Sequence, residues 1–227
     1  NFGCLLNMTP PRVLCLGEVL FDCLADQPGL PMEQVQSWTA YPGGAPANVA
    51  CALTKLGTAA GFIGCVGQDA AGMALVELLT TIGVDSTGIQ QHPSAPTRQV
   101  YVLRSESGDR HFGGFGELPT TAFADTHLQA NRLPIARFET ADFLVLGTLE
   151  LAYLDSRAAI AQALALAEQY YLKILVDVNW RPTFWTDPST APQTIQALLE
   201  QADFLKLSKE EAEWLFETAD PGVIAHR

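Results

Sequence analysis

The stretch Tyr41–Gly67, YPGGAPANVACALTKLGTAAGFIGCVG, decides how this chain is read. Gly43 and Gly44 form a tight bend, because residues without a Cβ take positive φ at little steric cost. Pro46 suits the first turn of a helix, where a missing N–H costs nothing and φ is already set. Val49, Leu53 and Leu56 follow at helical spacing, and Gly57 ends the run as a C-cap does. Ala59 to Val66 then reads as a short buried strand. The outcome is a glycine-bared helix N-terminus carrying an early amide, Asn48. Backbone N–H groups and the positive end of the helix dipole face whatever sits there, and no Cβ holds a ligand away. The Asn48 amide offers a donor and an acceptor, which suits adjacent sugar hydroxyls. A plain loop followed by a helix-start residue accounts for the same letters equally well.

Working outward, Val13 to Phe21 is largely apolar and reads as one buried strand, interrupted at Gly17-Glu18 and ended by Asp22. Pro28 and Pro31 mark a loop, and Gln34 to Tyr41 reads as a second strand. Downstream, Asp69 to Ile82 is predicted to be a helix with a Met73, Val76, Leu79 stripe, stopped by Gly83. Arg98 to Arg104 and Arg110 to Phe115 are β-like runs joined across Ser107-Gly108 as a hairpin. A looser stretch follows through Ala136, with one helix near Phe123 to Asn131.

From Asp142 the alternation is regular. Phe143 to Leu146 is a strand, and Asp155 is the expected N-cap of a helix through Tyr171. Lys173 to Val178 (strand), Thr190 to Gln201 (helix), Phe204 to Leu207 (strand) and Ser208 to Phe216 (helix) follow. Strands alternating with helices of this length imply an α/β fold, a parallel sheet with helices on both faces. The β segments at 33–41 and 98–115 do not fit that alternation and are expected to form a separate small sheet.

Composition excludes several classes. The chain has 227 residues, enough for a sizeable core, and is 48% hydrophobic and 17% charged, an ordinary globular profile. A net charge of -12 argues against a nucleic-acid binder, which needs a basic surface. No apolar run approaches the length of a membrane span. The five cysteines, Cys4, Cys15, Cys23, Cys51 and Cys65, are odd in number and lack CxxC spacing. That fits a reducing compartment and buried thiols better than a disulfide framework or a zinc site. His92, His111, His127 and His226 are scattered without ligand spacing. The opening NFGCLLNM has no basic n-region, so it does not read as a signal peptide, and residues 1–11 are expected to be a disordered extension.

Three constellations are candidates for chemistry. Asp22 is expected at the end of the first strand, where open α/β sheets bind ligands and a carboxylate accepts from neighbouring hydroxyls. In Asp177-Val178-Asn179-Trp180-Arg181-Pro182, alternation puts Asp177, Asn179 and Arg181 on one side, and Arg181 offers a fork for phosphate or carboxylate. Lys206-Leu207-Ser208-Lys209-Glu210-Glu211 matches a capping box, Ser208 with Glu211. Its functional alternative sets Lys206 on phosphate and Glu211 near Mg²⁺, which binds through few carboxylates and several waters. Gly61, Gly64 and Gly67 have the wrong spacing for a dinucleotide fingerprint, and no Walker A loop is present.

Together these residues resemble the PfkB-type (ribokinase-like) carbohydrate kinases, and among them the fructokinases. Gly43-Gly44, Pro46, Asn48-Val49-Ala50, Gly57 and Gly67 have the spacing of that family's N-terminal signature. GEVLFD at Gly17 to Asp22, DVNWRPTFW at Asp177 to Trp185 and DFLKLSKEEAEWL at Asp203 to Leu215 follow in the family's order. The resemblance implies a ribokinase-like sandwich over 12–227, a mainly parallel sheet flanked by helices, with a small β lid inserted. It implies ATP-dependent phosphorylation of a sugar, fructose to fructose 6-phosphate, with ATP and Mg²⁺, in the cytoplasm, and a homodimer formed through the lid. 2-Keto-3-deoxygluconate is the competing substrate, and a non-catalytic sugar-binding protein the competing class.

By the same resemblance Asp22, Gly43, Gly44 and Asn48 hold the sugar, and Arg98 reaches it from the lid. Arg181 contacts the sugar or the transferring phosphate. Asn179 and Lys206 lie on the nucleotide side and Glu211 on the Mg²⁺ side. Ser208 stands where many relatives have Asn, a feature of fructokinase-like members. The family's Gly-Ala-Gly-Asp stretch, source of its catalytic Asp and γ-phosphate anion hole, does not occur here. The resemblance therefore implies a polypeptide that is C-terminally truncated within the α/β core, with the family base beyond Arg227 and no activity of its own.

Overall fold

The structure, a computed structural model, describes residues 9–226. In sequence order the elements are strands β1 (Val13–Leu16), β2 (Leu20–Ala25) and β3 (Trp38–Gly43), helix α1 (Ala45–Lys55), strand β4 (Ala60–Gly67) and helix α2 (Ala70–Ile82). Strands β5 (Asp85–His92), β6 (Gln99–Arg104) and β7 (Arg110–Gly114) come next, then helix α3 (Ile135–Phe138) and strand β8 (Phe143–Leu146). Helix α4 (Leu154–Gln169), β9 (Lys173–Asp177), α5 (Ala191–Leu199), β10 (Phe204–Lys206), α6 (Lys209–Phe216) and α7 (Pro221–Ile224) follow.

Six strands form one sheet in the order β10-β9-β8-β1-β4-β5, and every neighbouring pair is parallel. Both of its faces are covered, and the strands record this residue by residue. On β1, Leu14 and Leu16 enter one core while Val13 and Cys15 enter the other. On β4, Ile63 and Cys65 join the first core, and Phe62 and Val66 the second. A strand apolar on both faces is what helices packed on both sides require. Each fully buried Leu, Ile or Phe contributes about 1.5–3 kcal/mol over exposure, so these central strands anchor the fold.

A second, four-stranded sheet has the order β3-β2-β6-β7, with β2 antiparallel to β3, β2 parallel to β6 and β6 antiparallel to β7. It rises from the edge of the large sheet where the parallel strands end. The polypeptide crosses to it after Leu16 of β1 and again after His92 of β5, and returns from β3 into α1. That edge is where open α/β sheets bind ligands.

Several expectations change. The single strand over Val13 to Phe21 is two strands in two sheets, broken where Gly17 takes φ 153°. Asp22 therefore sits in the middle of β2, not at the end of a core strand. The segment 33–41 begins with a 3-10 turn at Met32–Gln34, and its strand runs Trp38–Gly43. Strand β5, with its polar sequence DSTGIQQH, carries no alternation and escapes sequence reading. The helix near Phe123 to Asn131 is replaced by short 3-10 turns at Ala124–His127 and Ala130–Arg132. The α2 stripe is also displaced: Leu75 and Leu79 are buried, whereas Met73 is exposed. Tyr153, not Asp155, occupies the N-cap of α4. Residues 1–8 of the expected extension lie outside the described residues, and Pro11 is buried. Among the described residues Cys15, Cys23, Cys51 and Cys65 are free thiols.

Candidate sugar and nucleotide sites

The glycine bend is built by close approach. Gly44 is the N-cap of α1 at φ 102°, and a Cβ there would lie 2.3 Å from the Glu18 carbonyl oxygen, so no other residue fits without movement. At Gly43 a Cβ would lie 2.4 Å from Oδ2 of Asp22, which places the Asp22 carboxylate against bare backbone. The register Leu20↔Gly43, Asp22↔Tyr41 produces this approach. Asn48, exposed on the first turn of α1, donates its backbone N–H to the Gly44 carbonyl. Asp22, Gly43, Gly44 and Asn48 are thus linked as a run of direct neighbours.

Asp22 opens into a cleft of about 420 Å³ lined by Leu24, Val102, Arg110, His111, Phe112 and Arg181 as well. Asn48 does not line it. Burial pushes the Asp22 carboxyl up, and the positive charge of Arg110 opposes that shift. Arg181, expected from the sequence, comes from the loop after β9. Arg110, His111 and Phe112, on β7, carry no site signal in the sequence, because an edge strand of mixed polarity looks the same whether or not it faces a cleft.

The structure does not bring Arg98 to this cleft. Its side chain is buried at the junction of the two sheets, where Nε and Nη2 donate to Asp125 at 2.5 and 2.8 Å. Its guanidinium lies 4.5 Å from the Phe123 ring centroid and 5.0 Å from that of Phe184, with Phe115 and Tyr153 close by. The expectation that Arg98 reaches the sugar is corrected. Buried and paired, it joins the small sheet to the core.

Sequence reading also missed the buried carboxyls beneath the bend. Glu18 accepts from the backbone N–H of Ala45 at 2.7 Å, so one of the protein's own carboxylates occupies the start of α1. Glu150, in the 3-10 turn Leu149–Ala152, is buried with both Oε atoms unpartnered among the described residues. Burial raises the Glu18 carboxyl to about 7, and it raises Glu150 well above the ordinary range, with Glu18 and Asp125 adding repulsion.

On the β9–β10 side, Asn179 follows β9 in a left-handed conformation at φ 41°. Lys206 ends β10 with Nζ donating to Oδ2 of Asp177 at 2.7 Å, an ion pair rather than a free cation. Glu211 accepts from the Trp180 N–H through Oε1 and from the Ser208 N–H through Oε2, which completes the capping box of α6. Both Glu211 oxygens are engaged, and among the described residues no three acidic, His or Cys side chains cluster as a metal site. With both oxygens of Glu211 taken by backbone N–H groups, these residues do not by themselves fit Mg²⁺. The Trp180 and Trp214 rings stack at 4.4 Å beside Glu211. Among the described residues no helix is long and apolar enough to cross a membrane.

The chain is similar to known proteins in sequence and in fold. Fructokinase-2 of Oryza sativa is 32% identical over 206 residues, covering 91% of this chain and 60% of its own length. The crystal structure of a fructokinase from Xylella fastidiosa superposes with a TM-score of 0.83 at 28% identity, covering 94% of this chain and 65% of that one. The same enzyme with bound ATP superposes at 0.81 and 28% identity, covering 94% of this chain and 63% of that one. The chain spans between 54% and 62% of the length of plant relatives such as the first of these. The model of the pfkB family carbohydrate kinases matches residues 10–226. With that match running from before β1 to beyond α7, the chain belongs to the pfkB family of carbohydrate kinases.

Proposed function

We propose that the protein is an ATP-dependent kinase of a sugar hydroxyl, with fructose, converted to fructose 6-phosphate, as its substrate. The observation that carries this reading is the Asp22 carboxylate held against Gly43 at the mouth of α1, in a cleft roofed by the small sheet. Asp22 accepts from sugar hydroxyls, Gly43 and Gly44 let the ring approach the backbone, and the Asn48 amide bounds the site from α1. The small sheet acts as a lid over the sugar. Its strand β3 exposes Thr39, Ala40 and Tyr41, the surface we assign to a homodimer contact. ATP lies toward Asn179 and Lys206, where it supplies the transferable phosphate.

The 227 residues hold no Gly-Ala-Gly-Asp stretch. The base and anion hole that the family resemblance assigns to that stretch contribute roughly 10²–10⁴-fold and 10²–10³-fold to rate. We therefore propose that these residues alone bind sugar without transferring phosphate at a useful rate. A coupled ADP-release assay on the 227-residue protein tests this, and robust fructose-dependent turnover sinks it. The sugar assignment is tested by calorimetric titration of the Asp22→Ala, Asn48→Ala double variant. Fructose binding is expected to fall much more than ATP binding, and equal losses mean that the site is misassigned. A second reading, 2-keto-3-deoxygluconate, is favoured by one observation, the presence of Arg181 in the cleft.

A further inference from the structure

Strand β5 ends at His92, and residues 93–98 then carry the polypeptide out of the large sheet to β6 of the small one. Side chains tie this crossover down at two points. His92 turns its ring onto the residues that follow it, and its Nδ1 accepts the backbone N–H of Ser94 at 3.2 Å and of Ala95 at 2.7 Å. Asp69, the N-cap of α2, takes the Thr97 N–H through Oδ2 at 2.8 Å and the Thr97 hydroxyl through Oδ1 at 2.7 Å. The Thr97 hydroxyl oxygen in turn accepts from the Gly67 N–H, at the end of β4. Beyond the crossover lies the cleft: β6 pairs Val100 with Asp22 and sets Val102 into the cleft wall.

Protons act differently on the two ties. Asp69 holds its partners as a carboxylate: burial raises its carboxyl, but the bonds from Thr97 and Gly72 outweigh that and keep it below 3.8. An imidazole nitrogen accepts only in the neutral ring, with the proton on the other nitrogen. A proton on Nδ1 of His92 sets an N–H against two N–H groups, and both bonds are lost. Among the described residues the titratable groups around the ring are His127, stacked on it with centroids 4.7 Å apart, and Asp155, 3.4 Å from Nδ1 of His127. Asp69 and the Arg98–Asp125 pair hold the far end of the crossover. Burial, with the His127 charge adding to it, holds the His92 ring below its usual 6.5. We propose that His92 is a positioning residue for the lid: its neutral ring staples the crossover that carries β6 out to the small sheet, and its protonated ring lets that crossover go. The lid is then seated less well on the cleft, and sugar affinity falls as pH falls. This role rests on the reading of the small sheet as a lid over a sugar.

The test is calorimetric titration with fructose, at pH about 7.5 and about 5, of three forms of the 227-residue protein: a reference, His92→Asn and His92→Phe. All three carry His111→Gln, because His111 lines the cleft and its own charge would follow pH. In His92→Asn the side-chain oxygen stands near the place of Nδ1 and accepts at either pH, whereas His92→Phe has no acceptor. Other groups that titrate in this range do so in all three forms, so the difference between forms is the readout. From the higher to the lower pH the reference is expected to lose about tenfold more affinity than His92→Asn, the worth of two modest hydrogen bonds. His92→Phe is expected to bind as weakly at the higher pH as the reference does at the lower. Amide hydrogen exchange is followed alongside. In the reference Ser94 and Ala95 lose protection at the lower pH while Thr97 keeps it, and in His92→Asn all three keep it. The same pH dependence in the reference and His92→Asn overturns the role, as does protection of Ser94 and Ala95 in the reference at both pH values. So does a His92→Phe that binds like the reference at the higher pH. A thermal melt checks folding, and if His92→Phe fails it the comparison with His92→Asn decides. If the Asp22, Asn48 double variant behaves as proposed while an overturning outcome occurs, only the role of His92 falls. If no form binds fructose at either pH, the sugar-site reading falls and the role with it.

Discussion

Replacing Glu150 by Gln should weaken this protein's response to alkali. Glu18 and Glu150 lie buried under the start of α1, with Asp125 adding negative potential and Arg98 offsetting part of it. In the unfolded state such a carboxyl loses its proton at its ordinary value, 4.5, whereas in the fold Glu18 holds it to about 7. Between those values the folded state binds more protons than the unfolded one, so stability falls as pH rises. The contribution is complete below 4.5 and is lost as pH passes about 7. Each pH unit is worth about 1.4 kcal/mol, so the Glu18 proton alone amounts to about 3 kcal/mol, and Glu150 acts in the same direction. Carboxyls held below their ordinary 3.8, such as Asp69 and Asp203, finish titrating under this window. His92, held below 6.5, works the opposite way inside it, but equally in both proteins. Urea denaturation followed by tryptophan fluorescence at four pH values from about 5 to about 8 gives the two slopes. Wild type is expected to lose at least about 3 kcal/mol across the range, the Glu18 share with that of Glu150 added. Glu150→Gln is expected to lose less than wild type, because the raised Glu150 carboxyl no longer contributes its own proton. The buried amide adds an offset common to every pH, so the slope is the readout. Equal slopes in the two proteins, or a wild type that gains stability as pH rises through this range, would refute the argument.

Four further outcomes are expected. Asp125→Ala strands the Arg98 guanidinium in the core without its partner and should cost about 3–5 kcal/mol in urea denaturation; a loss below about 1 kcal/mol contradicts the buried-pair account. Gly44→Ala forces a Cβ onto the Glu18 carbonyl at positive φ, so stability should drop by at least about 1–3 kcal/mol and sugar binding with it. An unshifted melting temperature in that variant means the bend is more pliable than its geometry implies. Lys206→Ala removes an exposed ion pair and should cost no more than about 1 kcal/mol, while ATP affinity measured by calorimetry falls; unchanged ATP affinity removes Lys206 from the nucleotide site. Glu211→Ala deletes the acceptor of two backbone N–H groups and half of a capping box, for about 1–2 kcal/mol, and a variant as stable as wild type shows those bonds are replaced by water.

Much of this was legible one residue at a time. Apolar runs at Phe143–Leu146 and Lys173–Asp177 between helical stretches announced a parallel sheet, since strands covered on both faces need no polar alternation. Ser208 and Glu211 announced their capping box because both partners lie within one turn. The glycine pair before Pro46 announced a bend into a helix for the same local reason. The failures have a common cause. That Val13 to Ala25 serves two sheets, that Arg98 is clamped by Asp125 across 27 positions, and that Glu150 lies under Glu18 are facts of long-range packing. The same holds for the convergence of Arg110 and Arg181 on Asp22. Local backbone preference and hydrophobic period reach only a few residues along the sequence, so they determined the elements and the glycine bend. Which charged groups meet, and which are shut away from water, was decided only when distant segments closed on one another, because desolvation and Coulomb energies depend on distance in space and not along the sequence.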